Sequence, residues 1–146
     1  MIYHSNSPKE TQTLAAKMAK EMRSSRSFAS GRTIALEGEL GAGKTTFVQA
    51  FVKALGITAK IKSPTFNIIK KYPIPNVPRF VYHIDCYRLK DHKEAIPLGI
   101  KDIFKEPDCF VLIEWPERIK KILPKKITII HIDHINSNTR KIAIRT

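Results

Sequence analysis

Residues 38–45 constrain this sequence more than any other segment, because they read Gly-Glu-Leu-Gly-Ala-Gly-Lys-Thr. The octapeptide fits the pattern G-x-x-x-x-G-K-[ST] at every defined position. A short apolar run (33–36) precedes it, and the segment that follows (44–55) carries apolar residues at helical spacing. Strand, glycine-rich turn and helix in that order open an α/β unit. The sequence therefore predicts that the octapeptide joins a buried strand to an amphipathic helix.

The residue types of this P-loop pattern suit the binding of a nucleotide's phosphate groups. Glycine lets the backbone approach an anion closely, and consecutive N–H groups then form a nest for phosphate oxygens. The helix that begins there adds its positive end. Lys44 can reach the β- and γ-phosphates, and the Thr45 hydroxyl is a hard oxygen ligand for magnesium. We therefore predict that ATP and Mg²⁺ bind at Glu39, Leu40, Gly41, Ala42, Gly43, Lys44, Thr45 and Thr46.

Two acidic residues, Asp85 and Glu114, each follow an apolar run that reads as a core strand. A P-loop needs an acidic partner for magnesium or its water ligands, and the carboxyl ends of parallel strands converge on the phosphate site. We expect one carboxylate to hold magnesium together with Thr45 and the other to orient the attacking water. We favour Glu114 for the metal and Asp85 for the water, although the sequence hardly distinguishes these roles.

A further candidate is Thr65, in the segment Ser63-Pro64-Thr65-Phe66 between the P-loop helix and the next strand. In P-loop switch proteins this connection can carry a hydroxyl that senses the γ-phosphate through magnesium. A plain turn built on Pro64 explains the same residues.

The rest of the sequence is also typical of an α/β protein. Ser7, Pro8 and Glu10 form a helix-start signature, and that helix is expected to end in the small-residue stretch 24–30. Prolines 73, 75 and 78 predict a loop or hairpin connection outside regular structure. Further strands are predicted at 66–72, 80–85 and 109–113, short helices within 91–104 and 116–123, and a terminal hairpin at 127–132 and 141–145. We expect one domain (1–146): a P-loop NTPase fold with a central, mostly parallel sheet flanked by helices and a C-terminal β-hairpin.

The composition bears on the cellular compartment of the protein and on its charge. No apolar run approaches a membrane span, and the first seven residues lack a secretory signal pattern, so we expect a cytoplasmic protein with no membrane partner. Cys86 and Cys109 have no metal-binding spacing and are expected to be buried apolar residues. Lys and Arg total 26 against 13 acidic residues, a net charge of +13. A basic surface attracts polyanions such as RNA, but the lysines are scattered, and direct contact with nucleic acid stays open.

Four separated motifs together resemble one family. They are the P-loop extended to Thr46, then Ser63-Pro64-Thr65-Phe66, then His83-Ile84-Asp85-Cys86-Tyr87-Arg88, then Glu114-Trp115-Pro116-Glu117-Arg118. In this order they are similar to TsaE (formerly YjeE), the small bacterial ATPase family needed for threonylcarbamoyladenosine formation in tRNA. The resemblance covers roughly residues 10–145, and the combination is far more specific than the P-loop alone.

The resemblance implies a slow ATPase that works with the TsaD and TsaB proteins and does not itself transfer the threonylcarbamoyl group. It implies that Asp85 and Glu114 are essential acids, that Thr65 lies in a switch-like segment and that Trp115 lies beside the nucleotide. His83, Tyr87 and Arg88 match the motif, but catalytic and structural roles for them are not separated.

Two other functional classes of protein remain as alternatives. A small P-loop kinase would need a lid and an acceptor pocket, for which the stretch 90–108 is short and lacks an arginine cluster. The second alternative is a module that binds RNA or protein under the control of the nucleotide and hydrolyses little ATP. This alternative overlaps with the ATPase interpretation.

Overall fold

The computed structural model describes residues 1–24, 33–62 and 67–146. The strands are β1 Ile2–Ser5, β2 Thr33–Glu37, β3 Ile69–Pro73, β4 Phe80–Asp85, β5 Cys109–Glu114, β6 Thr128–His134 and β7 Arg140–Arg145. The α-helices are α1 Pro8–Ser24, α2 Lys44–Ala54, α3 His92–Ala95 and α4 Ile100–Lys105, and Ile96–Leu98 and Pro116–Ile122 form 3₁₀ helices.

The seven strands form one mixed sheet in the order β1-β7-β6-β2-β5-β4-β3. The four central strands, β6, β2, β5 and β4, are parallel to one another. Both edges are antiparallel, because β3–β4 and β6–β7 are hairpins and β1 pairs with β7. The α/β class, the parallel centre and the C-terminal hairpin are confirmed. The parallel centre places the carboxyl ends of β2, β4 and β5 at the same edge.

Helices cover both faces of the sheet. Ala15 and Ala19 of α1 pack with the apolar side of α2 against one face. The other face is covered by the segment after β4, which includes Ala95 and Ile100, and by Ile119 of the last 3₁₀ helix. Residues of β5 alternate between the two cores, and all six are buried. Burial on both faces explains why β5 reads as a continuous apolar run.

Two local expectations differ from the structure. Strand β1 was not predicted, because its four residues carry no periodic signal and it depends on β7 as a partner. Pro73 was expected beyond the strand but is the last residue of β3. That strand lies at the sheet edge, where proline's missing N–H interrupts no ladder on the open side. Residues 25–32, which include most of the predicted loop after α1, lie outside the described residues.

Cys86 and Cys109 are both buried, as predicted. In the described part of the chain, no helix is both long and apolar enough to cross a membrane.

Candidate functional site

The glycine-rich turn lies where β2 ends and α2 begins. Gly38 has φ 142° and Gly43 has φ 111°, values that residues with a Cβ rarely adopt. A Cβ on Gly38 would lie 2.4 Å from the carbonyl oxygen of Ile132 on the neighbouring strand. Gly43 caps α2 without any side-chain hydrogen bond to the helix. The turn therefore leads directly into the N-terminal end of α2, the end of a helix that attracts anions.

A cleft of about 410 Å³ opens above this turn. Its walls come from three sources: the turn with the start of α2, the ends of β4 and β5, and the segment just before β3. The lining residues are Leu40, Gly41, Gly43, Lys44, Thr45, Thr46, Ile68, Asp85, Tyr87, Arg88, Glu114 and Trp115. A cleft of this size at the carboxyl ends of parallel strands is where an α/β sheet binds ligands.

Lys44 is buried at the base of the cleft, with 5% of its surface exposed. Its Nζ donates hydrogen bonds to the carbonyl oxygens of Gly38 and Glu39 and lies 4.1 Å from the centre of the Trp115 ring. Burial lowers the pKa of this ammonium group, although nearby carboxylates, Glu114 foremost, act in the opposite direction. The two carbonyl oxygens accept hydrogen bonds that the oxygens of an anionic ligand could accept in their place.

Glu114 ends β5 and is 2% exposed. Its Oε1 accepts a hydrogen bond of 2.8 Å from the Thr45 hydroxyl, and its Oε2 lies 2.6 Å from His83 Nε2. A hydroxyl and a carboxylate oxygen beside a phosphate cradle are the hard donors that Mg²⁺ prefers. These two residues therefore fit a magnesium ion whose other ligands are phosphate oxygens and waters.

The described residues contain no group of three or more His, Cys, Asp and Glu side chains that could hold a metal ion on their own. In nucleotide-binding sites Mg²⁺ is typically held by one or two protein carboxylates together with waters and the substrate's phosphates.

Asp85 lies directly beside Glu114, since the two residues are partners in the parallel β4–β5 register. It is partly exposed and lines the same cleft. Its Oδ1 accepts a hydrogen bond of 3.0 Å from the Tyr87 amide, which orients the carboxylate at the strand end. The site therefore has two acids of different environment: Glu114 buried against Thr45, and Asp85 open to the cleft.

Trp115 follows Glu114 with φ 58° and ψ 50°, a left-handed conformation that is uncommon for an aromatic residue. This turn brings the indole over Lys44 and within 5.0 Å of the Tyr87 ring, measured between ring centroids. Backbone strain of this kind clusters at functional sites.

The structure brings together most of the residues predicted from the sequence. Of the predicted ATP contacts, the side chains of Glu39 and Ala42 do not line the cleft: Ala42 is buried and Glu39 lies in a neighbouring cavity. These two residues would contribute main-chain groups only. Thr65 lies outside the described residues.

Other residues at the site carried no assigned role in the sequence. Tyr87 and Arg88 line the cleft, and His83 contacts Glu114, so the motif residues left without a role lie in or next to the site. Ile68 was not predicted. Arg140 was also missed: its Nε donates to the carbonyl oxygen of Ala42, 2.9 Å away, and so braces the glycine-rich turn from β7. No local pattern signals this contact, because the two residues are 98 positions apart.

Comparison with known proteins agrees with this geometry. The family model described as threonylcarbamoyl adenosine biosynthesis protein TsaE matches residues 5–142. The protein named tRNA threonylcarbamoyladenosine biosynthesis protein TsaE from Bacillus subtilis is 39% identical over 136 residues, which cover 92% of this chain and 78% of that protein. Its namesake from Haemophilus influenzae is 39% identical over 99 residues, 68% of this chain and 61% of the relative.

A solved structure shows the same fold. The crystal structure of YdiB from Bacillus subtilis superposes with a TM-score of 0.76 and 32% sequence identity. The match covers 99% of this chain and 83% of that chain. The two proteins therefore share a fold along essentially the whole of this chain.

Proposed function

This chain belongs to the TsaE family of threonylcarbamoyl adenosine biosynthesis proteins, and from that premise we propose that it binds ATP with magnesium in the P-loop cleft and hydrolyses it slowly. We further propose that this cycle supports threonylcarbamoyladenosine formation in tRNA, in the cytoplasm, together with the TsaD and TsaB proteins. The observation that carries the proposal is the hydrogen bond between Thr45 and Glu114 beside the buried ammonium of Lys44.

Phosphate binding would use the turn's amides and Lys44. When the β- and γ-phosphates enter, the Lys44 ammonium exchanges its two carbonyl partners for phosphate oxygens. The ammonium is already desolvated, so this exchange loses little solvation and strengthens the attraction to the anion. Thr45 and Glu114 would hold magnesium, which when bound neutralises charge on the β- and γ-phosphates.

Hydrolysis would depend on how the site positions the attacking water relative to the γ-phosphate. Asp85 is the carboxylate open to the cleft, and it would orient a water in line with the γ-phosphorus and accept its proton. The water oxygen forms a bond to phosphorus as the bond to the bridging oxygen breaks, and ADP leaves. Lys44 stabilises the charge that develops on the phosphoryl oxygens.

Binding is tested with Lys44→Ala and a matched control, Lys53→Ala, which removes an exposed lysine from the far end of the same helix. Titration calorimetry with a non-hydrolysable ATP analogue and magnesium is expected to show binding in the wild type and in Lys53→Ala, and its loss in Lys44→Ala. Unchanged affinity in Lys44→Ala would contradict the P-loop assignment.

The roles of the two acids are separable by kinetics. We expect Asp85→Asn to bind MgATP normally but to lose hydrolysis at least 100-fold, as removal of a general base does. Glu114→Gln is expected to need much more magnesium for both binding and hydrolysis. Wild-type rates in both variants would remove the two-acid scheme.

The proposed work with TsaB and TsaD, and the competing kinase activity, can each be tested directly. ATP hydrolysis measured with and without TsaB and TsaD from the same source is expected to change strongly on mixing. Labelled ATP incubated with candidate nucleosides is expected to release free phosphate only, whereas a phosphorylated acceptor would identify a kinase instead.

A further inference from the structure

We propose that His83 is the positioning residue that presents Glu114 to the magnesium site, by holding one carboxylate oxygen so that the other faces Thr45. The inference rests on the proposed function above, because it concerns the metal of the P-loop nucleotide. His83 itself does not line the cleft and touches no reacting group. It acts through Glu114.

The sheet register places the imidazole against the carboxylate from within the core. His83 on β4 is paired with Leu112 on β5, two positions before the Asp85–Glu114 pair, so that the Ile84–Ile113 pair lies between them. His83 is fully buried and Glu114 is 2% exposed. The 2.6 Å contact between His83 Nε2 and Glu114 Oε2 is therefore shielded from water, and in such surroundings a hydrogen bond to a charged acceptor is strengthened.

The other imidazole nitrogen identifies which atom carries the proton. His83 Nδ1 is the single buried side-chain nitrogen or oxygen, among the described residues, that has no hydrogen-bond partner. A neutral imidazole with its proton on Nε2 leaves only a lone pair unpaired there. A tautomer with its proton on Nδ1 would instead leave an N–H unpaired in the core, which costs far more. We therefore assign the Nε2–H of His83 as the donor to Glu114 Oε2.

As a consequence, the two carboxylate oxygens of Glu114 have different partners. Oε2 is occupied by His83, and Oε1 faces Thr45 at 2.8 Å. Without the imidazole donor, Oε2 would be buried and unpaired, and the carboxylate would rotate to find another partner. Lys44, whose charge already interacts with Glu114, is such a partner. Partners that orient a metal-binding carboxylate in this way typically change metal affinity 10- to 100-fold when they are removed.

The test separates positioning from simple core stability. His83→Leu removes the donor, His83→Gln keeps an N–H at about the reach of Nε2, and His83→Asn places its amide too short to reach Glu114. Ile142→Ala serves as the control, because Ile142 is fully buried on β7 and is absent from the cleft. Magnesium is titrated into each protein with a saturating ATP analogue, and the fluorescence of the lone tryptophan, Trp115, reports occupancy.

We expect the magnesium concentration at half-saturation to rise about 10- to 100-fold in His83→Leu and His83→Asn. It is expected to stay within about threefold of wild type in His83→Gln and in Ile142→Ala. Analogue binding in EDTA is expected to be unchanged in all four. If His83→Leu fails to fold, the contrast between the Gln and Asn variants carries the test alone.

Three outcomes would overturn the inference: an unchanged half-saturation in His83→Asn, no rescue by His83→Gln, or an equal shift in Ile142→Ala. A wild-type protein whose nucleotide binding ignores magnesium would instead refute the proposed function, so the two failures are distinguishable.

Discussion

Replacing Gly38 with alanine is expected to damage the phosphate-binding turn far more than the same change at Gly99, a second glycine with positive φ. The added Cβ at Gly38 would lie 2.4 Å from the Ile132 carbonyl oxygen and 3.3 Å from the Ala42 Cβ. Real Cβ atoms essentially never approach closer than 3.0 Å, so a shift of at least 0.6 Å (3.0 minus 2.4) is required. The atom in the way is backbone, which cannot rotate aside.

The magnitude follows from two costs. Holding alanine at φ 142° costs about 1–3 kcal/mol, and overpacking against the Ile132 carbonyl costs about 1–3 kcal/mol more. The expected loss is therefore about 2–6 kcal/mol of unfolding free energy. Gly99 has φ 75° and open space around its Cβ position, so its alanine variant pays only the conformational cost of about 1–2 kcal/mol.

Urea unfolding of the wild type and both variants measures this difference, and titration calorimetry with the ATP analogue measures its effect on the site. We expect weaker nucleotide binding in Gly38→Ala only, because only that change displaces the phosphate cradle. An unfolding free energy of Gly38→Ala that equals or exceeds that of Gly99→Ala would refute the reasoning from the Ile132 contact.

Four further predictions concern Cys86, Trp115 and Arg140. Burial raises the pKa of the Cys86 thiol from 9.0 to about 12. The stability that this shift contributes is complete below pH 9 and is lost as the pH rises towards 12. In urea unfolding at pH 9, 10 and 11, the unfolding free energy of the wild type should therefore fall by about 1.4 kcal/mol per pH unit more than that of Cys86→Ala. In a Cys109→Ala background, Cys86 is expected to resist maleimide at pH 8 until urea is added, as mass spectrometry would detect. Trp115 emission is expected to change when MgATP binds, since its ring lies over the Lys44 ammonium, and a fluorescence titration without any change would contradict that placement. Arg140→Leu is expected to weaken analogue binding several-fold in calorimetry, because it removes the brace on the glycine-rich turn; unchanged affinity would show that the turn holds its shape without it.

The glycine-rich turn is the part of the site whose local structure could be predicted from the sequence. Its glycines, Lys44 and Thr45 are contiguous, and the strand before it and the helix after it follow from local periodicity. The terminal hairpin and the β4 and β5 strands were predictable for the same reason. Strand β1 was not, since its pairing with β7 joins the two ends of the chain.

Residue types and their order thus set the chemical groups available: a nest of amides, one ammonium group, one hydroxyl and two carboxylates at strand ends. The packing of distant segments selects which carboxylate meets the hydroxyl. Thr45 and Glu114 are 69 positions apart, and they touch because β5 is the parallel neighbour of β2. The same packing puts His83 behind Glu114 and Arg140 behind the turn. Strand order is set by how the whole chain buries its apolar surface, and no local pattern of residues encodes it.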